Sequence, residues 1–146
     1  MKKLILGTII AMSTISFSEE GKWIEGYGQG NLEYFIDKQG YRLYIGCPTE
    51  DGSADAPSYI SLSTLKDGKA IEPFTIIVNG NTYEAPFEAD NHAGENNFIS
   101  ILEDLRKGNA VVKFGKKTII FPKSNAKEII PVYGSKDFSC NLLWSK

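Results

Sequence analysis

Cys47, Cys140 and His92 offer the most versatile side-chain chemistry in this sequence, which has two cysteines and one histidine. A catalytic thiolate needs a nearby base, and His92 is the one imidazole that could serve. A structural zinc site needs four ligands, so these three residues would require a carboxylate as well. A disulfide requires only the two cysteines and an oxidising environment. The compartment in which the chain folds therefore decides between these alternatives.

The N-terminal residues predict that compartment. The start MKK is followed by a mostly apolar run, Leu4 to Ile15, and then by small residues at Ser16 and Ser18. This order is typical of a bacterial secretory signal peptide that is cleaved after Ser18. The run is shorter than a membrane span, which needs about 20 apolar residues. We therefore expect a signal peptide over residues 1–18, a single domain over residues 19–146, a periplasmic or secreted location, and no integral membrane segment after cleavage.

An even number of cysteines in an oxidising compartment predicts a disulfide. We therefore expect Cys47 and Cys140 to be joined. The loop closed by this bond would be about 90 residues long, and the bond would stabilise the fold by roughly 4 kcal/mol through the unfolded chain. Two buried free thiols, or a reactive thiol paired with His92, are the alternatives.

The loop EADNHAGEN places Asp90, His92 and Glu95 close together in the sequence. Oxygen and nitrogen ligands of this kind could hold a divalent metal. The same composition also makes an ordinary polar loop that leads into a helix, and neighbouring acids seldom supply a coordination geometry alone. We expect no metal, and this loop is the alternative candidate for one.

The sequence contains no other recognised catalytic constellation. There is no GxSxG nucleophile elbow. The glycine-rich GYGQGN lacks the strand-to-helix context of a phosphate-binding loop, and we expect it to be an irregular segment beside Trp23. Two carboxylates could still come together from distant positions and cleave a glycosidic bond. We expect a protein that is not an enzyme.

Acidic loops and aromatic side chains predict a surface that binds another protein. Tyrosine and tryptophan are favoured at interfaces because they bury a large area at a low entropy cost. From Cys47 to Ser100 the sequence contains nine acidic residues and two lysines, whereas from Ile101 onward it contains nine basic residues and four acidic residues. This distribution suits two complementary halves, or a face that steers a charged partner. The candidate interaction residues are Glu50, Asp51, Asp55, Glu88, Asp90, Tyr83 and Tyr133.

Alternating apolar residues and turn signals predict mainly β-strands. NLEYFID and GYRLYIGC form one expected hairpin around Gly40, and FTIIV and NTYEAPF form another around Asn79-Gly80. SYISLS, AVVKF, TIIFP and FSCNLLW are further expected strands.

One main helix is predicted over residues 97–107, where apolar residues at i, i+3, i+4 and i+7 begin at Phe98 and Asn96 or Asn97 can cap the start. A short helix, AKEII, is expected after a cap at Ser124 or Asn125. The predicted fold class is therefore a β-rich α+β protein, a single antiparallel β-sandwich-like domain with one main helix and one disulfide.

The segment FISILEDLRKGNAVVKFGKKTIIFPKSNAKEIIPV, within about residues 97–132, combines a helix ending in LxxLRxG, a strand pair and a short helix. It resembles the C-terminal part of small exported proteins of the invasion-associated locus B type and related secreted domains of unknown function. The resemblance implies a periplasmic, disulfide-containing β-sandwich without a known catalytic centre. It carries over no functional residue.

These patterns predict an exported, non-catalytic binding or accessory protein of the bacterial envelope that acts through protein–protein recognition. A formal net charge of −2 gives no reason to expect a nucleic-acid partner, and we expect no cofactor. A periplasmic inhibitor or immunity protein that blocks a toxin or lytic enzyme is a second hypothesis, because an acidic face suits a basic enzyme. A small carboxylate-dependent hydrolase is the third.

Overall fold

A computed structural model describes residues 19–28, 30–49 and 55–145. The predicted signal peptide over residues 1–18 lies outside these described residues. The regular elements, in chain order, are β1 (Trp23–Gly28), β2 (Asn31–Lys38), β3 (Tyr41–Pro48), β4 (Tyr59–Thr64), β5 (Thr75–Val78), β6 (Asn81–Tyr83), α1 (His92–Leu105), β7 (Ala110–Phe114), β8 (Lys117–Phe121) and α2 (Ala126–Ile129).

The strands form two four-stranded sheets in which every pairing is antiparallel. Sheet A has the order β1-β2-β3-β4 and sheet B the order β6-β5-β7-β8. The predicted β-rich class, with two antiparallel sheets, few helices and one disulfide, is confirmed.

Both predicted hairpins are present, and their turns show why. Gln39 and Gly40 have φ angles of 50° and 84°, and Asn79 and Gly80 have φ angles of 51° and 77°. Two consecutive positive φ values define the type I′ turn, whose twist matches that of the flanking strands. The second strand of the Asn-Gly hairpin is shorter than expected and ends at Tyr83. Pro86, which lacks a backbone N–H, cannot continue that ladder.

Alternate residues of each strand in sheet A point towards one hydrophobic core. The register places Trp23 opposite Ile36, Ile36 opposite Leu43, and Leu43 opposite Leu62, and all four side chains are buried. Alternation with a period of two puts such residues on the same face of a sheet. The core cluster also takes in residues of sheet B and of α1, which join the two halves of the sequence.

The main helix begins earlier than predicted. α1 starts at His92 instead of Asn97, and Asn91 is its cap, with a side-chain oxygen that accepts a hydrogen bond from the Gly94 backbone N–H at 2.9 Å. The apolar spacing that predicted the helix begins only at Phe98, so it could not reveal the polar first turn. The predictions of a start at Asn97 and of a cap at Asn96 or Asn97 are therefore wrong.

Three other local predictions are corrected by the structure. Gly26 and Gly28 belong to strand β1, where they pair with Glu33 and Asn31, so the glycine-rich segment is not an irregular entry. FSCNLLW contains no regular strand. Asn125 precedes α2 but does not cap it, because its side chain hydrogen-bonds the backbone of Trp23.

A polar network joins the end of α1 to the Asn-Gly hairpin. The Tyr83 hydroxyl donates to Asp104 Oδ2 at 2.5 Å, and the Asn81 side chain donates to the same oxygen at 3.0 Å. The Asn79 amide donates to the Asp104 backbone carbonyl at 3.1 Å. Burial alone would raise the pKa of Asp104, but the hydrogen bonds from Tyr83, Asn81 and Asn79 outweigh burial and lower it. Burial, together with the bond to Asp104, raises the pKa of Tyr83 to about 12.

We expect this network to stabilise the fold near neutral pH and to weaken in acid. The lowered pKa of Asp104 means that the unfolded chain takes up the proton first. Stability is therefore fully present above the ordinary aspartate pKa of about 3.9 and is lost as the pH falls through the lower pKa of the folded state. Asp104→Asn should lower the free energy of unfolding by about 1 kcal/mol at neutral pH, and that deficit should shrink below about pH 3.

Urea unfolding at neutral pH and below about pH 3 measures this deficit in the free energy of unfolding. Glu103→Gln, which changes the neighbouring exposed acid on the same helix, is the matched control and should leave the unfolding midpoint unchanged. An Asp104→Asn deficit that is equal at both pH values would contradict the assignment of the lowered pKa to Asp104.

Candidate functional site

The two cysteines form the predicted disulfide. The sulfur atoms of Cys47 and Cys140 are 2.07 Å apart, and the Cα atoms are 4.5 Å apart. The bond joins β3 to the irregular segment 138–145, and both residues are buried. Disulfides persist in oxidising compartments, so the bond indicates a protein that functions outside the cytoplasm. The sulfur atoms are therefore a crosslink and offer no nucleophile.

The disulfide also anchors a short strip of backbone beside sheet A. The Ser58 N–H donates to the Asn141 carbonyl at 3.0 Å, and the Leu143 N–H donates to the Ala89 carbonyl at 2.9 Å. Residues 87–89 are held from the other side by β4, since the Ala89 N–H donates to the Ser58 carbonyl at 2.8 Å and the Ile60 N–H donates to the Phe87 carbonyl at 3.3 Å. Residues 87–89 are thus fixed by hydrogen bonds on both sides.

The alternative metal loop does not converge on one point. Asp90 accepts a hydrogen bond from Asn91, the His92 ring lies near Asn96 and Trp144, and Glu95 accepts from the Ser145 backbone N–H. Across residues 19–28, 30–49 and 55–145, no group of three His, Cys, Asp or Glu side chains could hold a metal ion. Glu95 is instead a buried carboxylate that binds the backbone of the segment fixed by the disulfide.

The predicted interaction residues are scattered. Glu50 and Asp51 lie outside the described residues, and Asp55 is exposed. Glu88 and Asp90 are exposed on either side of Ala89. Tyr83 belongs to the network around Asp104, whereas the Tyr133 ring contacts that of Phe138, with a centroid distance of 5.3 Å.

Glu88 lies at a cleft that the sequence analysis did not identify. The floor of this cleft is formed by Phe74, Phe87 and Ile60, and its walls by Pro73 and Pro86. The two phenylalanine rings are stacked, with centroids 4.8 Å apart and planes inclined by 26°. The cleft has a volume of about 480 Å³. We refer to it as the proline cleft after these two prolines, both of which follow a cis peptide bond.

Two carboxylates, Glu72 and Glu88, stand at the rim of the proline cleft and are exposed. Neither glutamate forms an ion pair within the described part of the chain. Asn97 on α1 holds one wall in place, because its side-chain amide donates to the carbonyls of Glu84 and Pro86, both at 2.9 Å. Hydrogen bonds from α1 therefore hold this wall of the cleft in place.

The chemistry of the proline cleft suits recognition of a group that is both apolar and positively charged. Stacked aromatic rings and prolines offer apolar contact area, and unpaired carboxylates attract cations. Such a combination of an aromatic anchor and a charged rim is common at protein interfaces.

The sequence does contain a signal for this cleft. The tripeptides EPF, residues 72–74, and APF, residues 85–87, repeat the same Pro-Phe pair. In each case the proline forms a wall and the phenylalanine forms the floor.

The fold and the cleft together define a two-sheet antiparallel domain, crosslinked by one disulfide, with an acidic rim over an aromatic floor. This chain belongs to the YfjT family, whose model matches residues 21–130. One relative is the uncharacterized protein YfjT of Escherichia coli (strain K12), which is 25% identical over 114 residues, 73% of this chain and 74% of the relative. No solved structure matches the chain significantly.

The matched residues include both sheets and the proline cleft. The resemblance to small exported proteins of the invasion-associated locus B type stays a prediction. Among the described residues, no helix is long and apolar enough to cross a membrane.

Proposed function

We propose that this protein is an exported, non-catalytic binding protein that acts through protein–protein recognition in the bacterial envelope. The proline cleft is its binding site, and the occupant is a segment of a partner protein that carries basic and apolar side chains. One observation carries this proposal, namely the pair of unpaired carboxylates, Glu72 and Glu88, above the stacked rings of Phe74 and Phe87.

The disulfide and the N-terminal sequence support the location. A crosslink between Cys47 and Cys140 requires an oxidising environment, and residues 1–18 have the pattern of a secretory signal peptide. Both features agree with a periplasmic protein.

The acidic rim also favours a more specific form of the proposal, in which the partner is a basic toxin or lytic enzyme that this protein inhibits. Opposite charges raise the rate of association and make it sensitive to salt. An inhibitor should therefore bind one partner tightly and lose affinity as the ionic strength rises.

We expect the double variant Glu72→Gln/Glu88→Gln to bind a basic, apolar peptide roughly tenfold more weakly, since each exposed ion pair contributes up to about 1 kcal/mol. The probe is a fluorescent peptide of alternating lysine and leucine, and fluorescence anisotropy measures its affinity. Glu84→Gln is the matched control, because Glu84 is an exposed acid of the same region whose side chain lies outside the cleft lining.

Equal affinities of the wild type and the double variant would refute the cleft as the binding site.

A second experiment identifies the natural partner in cells, with a photo-crosslinking residue in place of Ala85, which is exposed and lines the cleft. A crosslinked glycan or peptide that is cleaved by the wild type, but not by Glu72→Gln or Glu88→Gln, would favour the carboxylate-dependent hydrolase instead.

A further inference from the structure

A second cleft lies at the other end of sheet A, away from the residues that line the proline cleft. It has a volume of about 430 Å³, and we refer to it as the tyrosine cleft. Its lining includes Glu25, Tyr34, Arg106, Lys127, Ser135 and Asp137. These residues come from β1, β2, the end of α1, α2 and the segment that follows α2.

Tyr34 is the residue that distinguishes this cleft from an ordinary polar surface. Its side chain is only 2% exposed and lies on the inner face of β2, opposite Glu25 and Ile45. No hydrogen bond joins its hydroxyl group to any of the described residues, although the residue lines the cleft. Because this hydroxyl group is not among the buried side-chain atoms that lack a partner, it is open to the cleft and can bond a ligand there.

The surroundings of that hydroxyl group are acidic on one side. Burial raises the pKa of Tyr34 to about 12, and the negative charges of Glu25 and then Asp137 add to the effect. Glu25 is the register partner of Tyr34 on β1, and Asp137 lines the same cleft. A phenol that stays protonated among carboxylates can accept a hydrogen bond from a cation that the carboxylates attract.

Two basic residues, Arg106 and Lys127, also line the tyrosine cleft, together with the acidic Glu128. The Arg106 guanidinium has five N–H donors. It donates two hydrogen bonds to backbone carbonyls, those of Ile130 at 2.9 Å and Lys127 at 3.3 Å. These bonds fix the guanidinium at the cleft, beside the Lys127 side chain. Ion pairs within the described ranges do not include Arg106, Lys127, Glu25 or Asp137, so the charges that line this cleft do not neutralise one another at contact distance.

We propose that the tyrosine cleft binds a zwitterionic ligand, a free amino acid or the termini of a short peptide. The ammonium group lies between Glu25 and Asp137 and donates to the Tyr34 hydroxyl oxygen, and the carboxylate faces Arg106 and Lys127. This arrangement gives a hydrogen bond to the Tyr34 hydroxyl group, which has no partner among the described residues, and pairs the separated charges of the cleft. A volume of about 430 Å³ accommodates a ligand of this size.

Nuclear magnetic resonance titration of the isotopically labelled protein with dialanine tests this assignment. Dialanine with free termini should shift the amide signals around Tyr34 and Ser135 with a dissociation constant in the millimolar range, since so few ligand atoms make contact. N-acetylated dialanine, which lacks the ammonium group, should bind at least about tenfold more weakly. Free alanine binding as well as dialanine would assign the site to amino acids, and weaker binding of alanine would assign it to peptides.

Tyr34→Phe removes only the hydroxyl group and should weaken dialanine binding by roughly threefold to tenfold without loss of the fold. Asp137→Asn should have a similar effect, because Asp137 is exposed and its carboxylate has no structural ion pair among the residues described here. Tyr27→Phe is the control, since Tyr27 is 62% exposed on the neighbouring strand and does not line the cleft.

Equal binding of dialanine by the wild type and Tyr34→Phe would overturn the proposal, as would equal binding of dialanine and its acetylated form. An absence of shifts at millimolar dialanine would overturn it too, and would leave Tyr34 with a water molecule as its partner. None of these results depends on the proline cleft, so the two proposals succeed or fail separately.

Discussion

Replacing Cys47 and Cys140 together with alanine is expected to lower the free energy of unfolding by about 4–5 kcal/mol. The bond joins residues separated by 93 positions, so its loss returns a large amount of conformational freedom to the unfolded chain. A typical domain is stable by only about 5–15 kcal/mol, so the variant should lose much of its folded population on mild warming. Urea unfolding of the oxidised wild type and of the double variant, followed by circular dichroism, measures the difference.

Two controls separate the crosslink from the side chains that form it. The reduced wild type should unfold at nearly the same urea concentration as the double variant. Ser139→Ala, next to the bond and exposed, should unfold like the oxidised wild type. A double variant that is as stable as the oxidised wild type would show that the crosslink adds nothing to stability.

Gly94→Ala is expected to have the second largest effect, a loss of about 2–3 kcal/mol. A Cβ atom at this position would lie 1.9 Å from the carbonyl oxygen of Glu88, which belongs to the backbone and cannot rotate away. The first turn of α1 and the rim of the proline cleft must therefore separate to admit a single methyl group. Alanine has a higher helix propensity than glycine, so propensity alone would predict a gain in stability, whereas we expect a loss.

Thermal unfolding of Gly94→Ala, with Gly28→Ala as the matched control, measures this loss. A Cβ atom at Gly28 would have no atom within 4 Å, so that variant should unfold close to the wild-type temperature. A melting temperature of Gly94→Ala at or above the wild-type value would rule out the close approach between Gly94 and the Glu88 carbonyl.

Local patterns in the sequence predicted the sheets well. Alternation in β2 and β3 and the Asn79-Gly80 turn gave the correct hairpins, because strand faces and type I′ turns depend on neighbouring residues. The start of α1 was missed because its first turn is polar and is defined by a cap at Asn91. The strand predicted around Cys140 is absent for a different reason, since the few backbone hydrogen bonds of this segment go to separate segments and do not form a ladder.

The sequence shows the repeated Pro-Phe pair, but no sequence pattern brings the parts of either cleft together. The proline cleft joins residues 72–74 to residues 85–88, whose approach depends on the β5–β6 hairpin between them and on Asn97. Tyr34 has the same place in the alternating pattern as Ile36, which is buried among apolar residues. Only the three-dimensional arrangement of β1, α2 and the segment that follows α2 gives Tyr34 a charged cleft to face.

The hydrogen bonds around Glu88 determine the stage of folding at which the proline cleft is complete. Residues 87–89 are held on one side by β4, which precedes them, and on the other by Leu143, more than fifty residues later in the sequence. During synthesis, the floor and walls of the cleft emerge before the segment that fixes its rim. The cleft is therefore complete only when that segment, which is joined to β3 through Cys140, packs against residues 87–89. If the proline cleft binds a partner as proposed, only molecules in which this segment is in place would present the finished rim, so the state of the disulfide would set the fraction of molecules that can bind.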